Sequence, residues 1–149
     1  MTHKLLVVDD ELISMELMKA VFHEEIYSLD FAYNGKEAFK KVLLKGVRPR
    51  LYSECRIKDS QDNKLINDNG YDLIITDIKM PVMSGITFYK EIVKCAPCMR
   101  KQIVFLSAFT DEPDERKFLR ENRCAYVKKP FNLRELRTVV NSRLKKNSL

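Results

Sequence analysis

The sequence predicts an α/β fold, a five-stranded parallel sheet with helices on both faces. Two observations carry that reading. Short continuous apolar runs, Leu5-Leu6-Val7-Val8, Leu73-Ile74-Ile75 and Ile103-Val104-Phe105-Leu106, have the pattern of strands buried on both faces. Between them lie segments whose apolar residues recur at helical spacing, beginning with Ile13, Leu17 and Val21. Strands that alternate with helices require crossover connections, which are right-handed and cover both sides of the sheet.

Taken in order, the first strand is Leu5–Val8 and the first helix carries Ile13, Leu17 and Val21. A shorter strand spans Leu29 to Tyr33, followed by a helix through Ala38, Phe39, Val42 and Leu43. The third strand, Leu73–Ile75, precedes a helix through Ile86, Tyr89, Ile92 and Val93. After Ile103–Leu106, the stretch Thr110-Asp111-Glu112-Pro113 supplies a cap, first-turn acids and an early proline for a helix ending near Glu121. Ala125 to Val127 form the last strand, and Asn132 with Glu135 opens a fifth helix through Leu133, Leu136, Val140 and Leu144. Five β-α units suit the strand order 2-1-3-4-5.

At 149 residues the chain is read as one domain, 1–149, interrupted by an insertion at about 46–70 between the second helix and third strand. That stretch is polar and too long for an ordinary loop; a small hairpin and an irregular loop both fit it. Its Asp59, Asp62 and Asp68 lack the spacing of a calcium loop. The net charge of +6 collects at Lys36 to Arg50 and Arg134 to Lys146. Aromatic residues are not interleaved with those charges in the manner of a single-strand binding platform, so direct nucleic-acid binding is not expected. The four apolar residues before Asp9 are too few for a signal or a membrane span, and a cytoplasmic protein is expected. The four cysteines, including the Cys95-Ala-Pro-Cys98 pair, read as buried small hydrophobes rather than as disulfide or zinc chemistry.

Chemistry is expected beyond the carboxyl ends of the strands, where the strand order reverses. Asp9 and Asp10 directly follow the first apolar run, and Asp77 follows the third. Two carboxylates 4 Å apart repel by ~1 kcal/mol in water and ~4 kcal/mol at an effective dielectric of 20. Mg²⁺ would offset this, because it takes one or two carboxylates and keeps several waters. Helix capping by Asp10 or Glu11 accounts for one acid, not three. Ser107 and Lys129 end the fourth and fifth strands, and a hydroxyl and an ammonium facing a metal-bound carboxylate suit a phosphoryl group. Asp77 is then the nucleophile, since an aspartate can form an acyl phosphate.

These segments, Leu6-Val7-Val8-Asp9-Asp10-Glu11, Asn34-Gly35-Lys36-Glu37-Ala38, Asp72 to Pro81 with Gly85, Phe105-Leu106-Ser107-Ala108 and Tyr126 to Phe131, make the chain resemble the receiver domain of two-component response regulators. That family is chemotaxis-regulator-like, with a flavodoxin-like fold. The resemblance implies Asp77 as phosphoacceptor; Asp9, Asp10, Asp77 and the backbone carbonyl of Lys79 as Mg²⁺ ligands; Lys129 as partner of the phosphoryl group; and Ser107 and Tyr126 as the switch pair. It implies a sensor histidine kinase or a histidine phosphotransfer protein as phosphodonor. It also implies a downstream protein target on the face of the fourth helix, fifth strand and fifth helix. The chain would then be no enzyme beyond its own phosphorylation and dephosphorylation. No output domain is expected after the fifth helix.

Two alternatives stand beside it. A phosphohydrolase of the haloacid dehalogenase type needs a second acid two residues after the nucleophile, where this sequence has Lys79. A phosphate-independent interaction scaffold leaves the full set of Asp9, Asp10, Asp77, Ser107 and Lys129 unexplained.

Overall fold

The structure is a computed structural model and describes residues 2–48, 65–108 and 112–145. The elements are β1 (His3–Val8), α1 (Leu12–Val21), β2 (Tyr27–Ala32), α2 (Gly35–Lys45), β3 (Leu73–Asp77), α3 (Gly85–Cys95), a 3₁₀ helix (Pro97–Gln102), β4 (Ile103–Ser107), α4 (Pro113–Glu121), β5 (Ala125–Lys128) and α5 (Leu133–Lys145). The five strands pair in parallel in the order β2-β1-β3-β4-β5. The fold class and strand order therefore stand as the sequence predicts.

Because side chains alternate across a strand, each apolar run feeds two cores at once. Leu5, Val7, Leu73, Ile75, Val104 and Leu106 face one side, against Met18 and Val21 of α1 and Leu136, Val140 and Leu144 of α5. Leu6, Val8, Ile74, Ile103 and Phe105 face the other, against Val42 of α2, Phe88 and Ile92 of α3 and Leu119 of α4. All eleven of those strand residues have no exposed surface, which is why the runs carry no polar alternation. The β2 edge strand begins two residues earlier than its apolar content indicates, because Tyr27 packs edge-on against Phe22 and donates to Asn141.

The helices start on local chemistry. Asn34 accepts from the Glu37 amide at 2.9 Å while Glu37 accepts from the Tyr33 amide at 3.1 Å, a reciprocal cap for α2. Ser84 accepts from the Thr87 amide at the head of α3. Asn132 accepts from the Arg134 amide, so it caps α5 without the Glu135 reciprocity that the sequence suggests. Glu11 stands at the N-cap of α1 and makes no side-chain capping bond; Asp9 accepts from the Glu11 amide instead. Thr110 and Asp111, read as caps of α4, lie outside the described residues.

Only the roots of the 46–70 segment are described, and both hairpin and loop readings of its middle fall outside. The roots close on each other: Val47 bridges Ile66 and Tyr71, with the Val47 amide 2.7 Å from the Leu65 carbonyl. Gly46 has φ +79, which favours glycine, and a Cβ on Gly70 would stand 2.5 Å from the Gly46 carbonyl carbon. Asp72, 1% exposed, then ties the start of β3 to β1 and to the inserted segment. It accepts from the Lys4 amide at 2.8 Å and from Arg48 Nε at 2.7 Å, while Gln102 Nε2 donates to its carbonyl. Part of the first basic stretch is neutralised: Lys41 and Lys45 grip Asp30, and their hydrogen bonds, with one from Tyr71, hold its carboxyl below the ordinary range despite burial.

The cysteine reading needs a correction. Cys98 is disulfide-bonded, while Cys95 and Cys124 are not in disulfides. Cys95 and Cys98 are therefore not joined to each other.

Candidate functional site

Parallel strands of matched register end at one rim, and the residues that end them meet there. Val8 pairs with Thr76, and Asp77 with Leu106, so Asp9, Asp77 and Ser107 fall side by side at the carboxyl edge. Asp9, Asp10 and Asp77 each offer a carboxylate oxygen within 4.8 Å of the others. Asp9 has no exposed surface and Asp77 is 7% exposed, whereas Asp10 faces solvent. Lys129 reaches in from the end of β5: its Nζ lies 3.1 Å from Asp77 Oδ2 and 3.5 Å from Asp9 Oδ2.

Backbone contacts fix Asp77. Its Oδ1 accepts from the Ile78 amide at 2.9 Å, and Thr76 Oγ1 donates to its carbonyl. Gly85 passes so close that a Cβ there would stand 2.0 Å from that carbonyl oxygen. The intervening loop contains Val82 at φ 68, an unusual conformation for a β-branched residue and therefore a point of local strain beside the site. Ser107 is buried, and its carbonyl accepts from the Lys129 amide at 2.7 Å. The Lys129–Pro130 peptide bond is cis. Tyr126 is 45% exposed and turned outward, and the adjacent Lys128 is exposed.

The charges are out of balance. Burial pushes the Asp77 carboxyl above its ordinary value; Lys129 opposes this and Asp9 adds to it. Burial pulls the Lys129 ammonium down, but Asp77 and Asp9 outweigh burial and hold it above its ordinary value. Asp9 Oδ2 is buried without a hydrogen bond. Three carboxylates, one with a buried oxygen that no hydrogen bond satisfies, are a donor set for a hard divalent cation, so the residues fit Mg²⁺.

This makes a pH prediction. A carboxyl raised in the folded state contributes stability that is fully present below its unfolded value of about 3.8 and is lost as pH rises through the folded value. Asp77→Asn should therefore raise the melting temperature of the metal-free protein at neutral pH, with the gain shrinking as pH falls towards 4. Asp10→Asn, at an exposed position, should give a smaller gain. Melting curves of the three proteins from pH 4 to 8 check this, and a gain that grows on acidification would contradict it.

Glu112, taken from the sequence only as a first-turn acid, and Glu115 belong to the site's surroundings. Lys79 Nζ pairs with Glu112, and a groove of about 470 Å³ is lined by Asp10, Ile78, Lys79 and Glu115 among others. Burial raises the Glu115 carboxyl, and Glu112 adds to the rise. Their spacing in sequence, 33 residues for Lys79 and Glu112, gave no signal of it.

A family model described as "Response regulator receiver domain" matches residues 58–141, more than half of the chain. The chain belongs to the response regulator receiver domain family. Such a domain is a signalling module of two-component systems. This receiver domain is 30% identical over 149 residues to "Response regulator SaeR" of Staphylococcus aureus, covering 97% of this chain and 51% of that protein. It is 27% identical over 146 residues to "Transcriptional regulatory protein DltR" of Streptococcus agalactiae, covering 98% of this chain and 54% of that protein. The receiver domain thus spans about half the length of these curated relatives. Among solved structures, the receiver domain of the Francisella response regulator 1452 superposes with a TM-score of 0.69 at 26% identity, covering 97% of this chain and 98% of that one. A CheY-like receiver domain of Methanospirillum hungatei does so with a TM-score of 0.72 at 19% identity, covering 99% and 97%. Among the described residues, no helix is long and apolar enough to cross a membrane.

Proposed function

We propose that this receiver domain takes a phosphoryl group from a phosphohistidine onto Asp77 and uses it as a switch. The observation that carries the reading is the meeting of Asp9, Asp10 and Asp77 within 4.8 Å of one another, with Lys129 bridging two of them at 3.1 and 3.5 Å. Asp9, Asp10, Asp77 and the backbone carbonyl of Lys79 would hold Mg²⁺. When bound, Mg²⁺ supplies positive charge that lowers the repulsion between the acids and the incoming phosphoryl oxygens.

The chain's own residues do the rest. The Ile78 amide holds the Asp77 carboxylate in line, and an ionised carboxylate attacks phosphorus. The new bond is Asp77 Oδ–P, the bond that breaks is P–N of the phosphohistidine, and the departing imidazole nitrogen keeps the electron pair and takes a proton. Lys129 then exchanges its carboxylate partners for a phosphoryl oxygen, a charge-assisted bond worth roughly twice a neutral one. Ser107 donates its hydroxyl to a second oxygen, and Tyr126 turns inward from its outward position. The donor is a sensor histidine kinase or a histidine phosphotransfer protein. The altered face comprises α4, β5 and α5.

The lysine at position 79, committed to Glu112, leaves no second acid for a phosphohydrolase of the haloacid dehalogenase type. The test is incubation with phosphoramidate and Mg²⁺ followed by intact mass measurement. One phosphoryl group is expected on the native chain and none on Asp77→Ala. Equal uptake by both proteins, or uptake by neither, overturns the reading.

A further inference from the structure

The sheet has an outer edge at β2, the first strand in its order. In a parallel ladder alternate residues turn both backbone groups to the neighbouring strand, and the residues between turn theirs away. The His3 amide donates to the Ile26 carbonyl and the Asp9 amide to the Ala32 carbonyl. Ser28 and Asp30 therefore share that inward direction, while Tyr27, Leu29 and Phe31 point outward. A row of outward N–H and C=O groups is a template for another strand. A groove of about 320 Å³, lined by Phe22, Tyr27, Leu29 and Phe31 among others, flanks the row and offers apolar contact to whatever would pair there.

The chain answers most of that row itself. The Tyr27 amide donates to the His23 carbonyl at 2.9 Å. The Phe31 amide donates to Asp30 Oδ1 at 2.9 Å, and Lys41 Nζ donates to the Phe31 carbonyl at 2.6 Å. Just past the strand, the Tyr33 amide is taken by Glu37. Among the described residues, only the Leu29 amide and carbonyl and the Tyr27 carbonyl stay open along this edge. Asp30 is held in place for the task, since Lys41 at 2.9 Å, Lys45 at 2.7 Å and the Tyr71 hydroxyl at 2.5 Å all donate to its carboxylate.

We propose that Asp30 closes the outer edge of β2 against strand addition by a second copy of the chain. The excluded pairing follows from the open groups. With two copies related by a two-fold axis through Leu29, the strands run antiparallel and Leu29 exchanges both of its bonds with its counterpart. Each Phe31 amide then meets the Tyr27 carbonyl of the other copy. While Asp30 holds the Phe31 amide, the outer bonds of that ladder cannot form, and the central pair alone does not hold two copies together. Lys41, bonded to the Phe31 carbonyl, adds a charge at the same edge, a common guard against such pairing. The assignment does not depend on phosphorylation at Asp77.

The test joins sedimentation velocity to residue-resolved amide exchange on the full chain. In the unaltered protein, the Phe31 amide should exchange about tenfold or more slowly than the Leu29 amide, although both lie on the same edge. The sedimentation coefficient should not change over about a hundredfold range of concentration. Asp30→Ala should speed Phe31 exchange at low concentration. On concentration it should form pairs, with the Leu29 and Phe31 amides becoming protected together. Asp30→Asn keeps an oxygen for the Phe31 amide and should stay single. Lys45→Ala loses an ion pair to the same carboxylate without uncovering the edge, and should also stay single, which separates edge closure from mere loss of stability. If Asp30→Ala does not fold, the exchange contrast between Phe31 and Leu29 in the unaltered chain decides. Equal exchange at those two amides overturns the proposal. So does a folded Asp30→Ala that stays single at every concentration, or pairing by Lys45→Ala to the same extent.

Discussion

Gly85→Ala is expected to lower the melting temperature by roughly 4–8 °C, at 2–4 °C per kcal/mol for a chain of this size, and to prevent phosphoryl uptake by Asp77. Two opposing effects set the sign. Alanine is the better helix former, which would favour the variant by about 0.5–1 kcal/mol. Against this, the new methyl would stand 2.0 Å from the Asp77 carbonyl oxygen, 3.0 Å from its carbonyl carbon and 3.1 Å from Thr76 Oγ1. Overpacking by one methyl costs about 1–3 kcal/mol where side chains can yield, and more where the neighbour is backbone. Here the neighbour is the last residue of a fully buried strand, and relief means moving either β3 or α3. The Gly85 amide, 2.9 Å from the Ile78 carbonyl, must move with it. A thermal melt shows the stability change and the mass experiment shows the displaced carboxylate. An unchanged melting temperature would mean that the loop between β3 and α3 yields far more easily than its packing indicates.

Lys129→Ala is expected to cost about 2–3 kcal/mol at pH 7.5 and much less near pH 4, and to abolish the response of the α4–β5 face to phosphorylation. Removing one partner of a buried pair costs about 3–5 kcal/mol when a charge is left uncompensated. Lys129 is 21% exposed, which reduces that figure, and Asp77 can take up a proton, which reduces it further. The proton also sets the pH dependence. Without Lys129, the burial that already raises the Asp77 carboxyl is opposed only by the Ile78 amide, so the variant is penalised where carboxylates are ionised and relieved where they are not. The folded-state rise at Lys129 itself adds stability present below its ordinary value of 10.5, hence throughout this range. Added Mg²⁺ should recover part of the loss at pH 7.5 by replacing the missing positive charge. Urea titrations at both pH values distinguish these outcomes, and a loss that is equal at pH 4 and pH 7.5 would reject the ion-pair argument.

Most of the scaffold was legible in the sequence because the signals are local. Strands such as Ile103–Ser107, buried on both faces, announce themselves as unbroken apolar runs, and the acids of the rim sit directly after such runs. The register that brings Asp9, Asp77 and Ser107 together follows from parallel pairing once the strands are placed. What the sequence could not show depends on distant partners. The Asp72 tie to Lys4 spans 68 residues and that to Arg48 spans 24, and neither has a pattern of its own. The same holds for Glu112 against Lys79 and the close passage of Gly70 over Gly46. Capping of α1 was misread for a subtler reason. Glu11 stands at the N-cap without a side-chain capping bond, and its own amide is taken by Asp9 Oδ1.

The bond from the Lys129 amide to the Ser107 carbonyl has a bearing on graded signalling. The cation and the hydroxyl that would meet the phosphoryl oxygens hang from two strand tips that are fastened together. Neither tip can advance by a backbone shift while the other stays behind. In such a switch, a backbone shift that brought the cation forward would bring the hydroxyl with it. Intermediate output levels would then reflect the fraction of molecules that have flipped, rather than how far each one has gone.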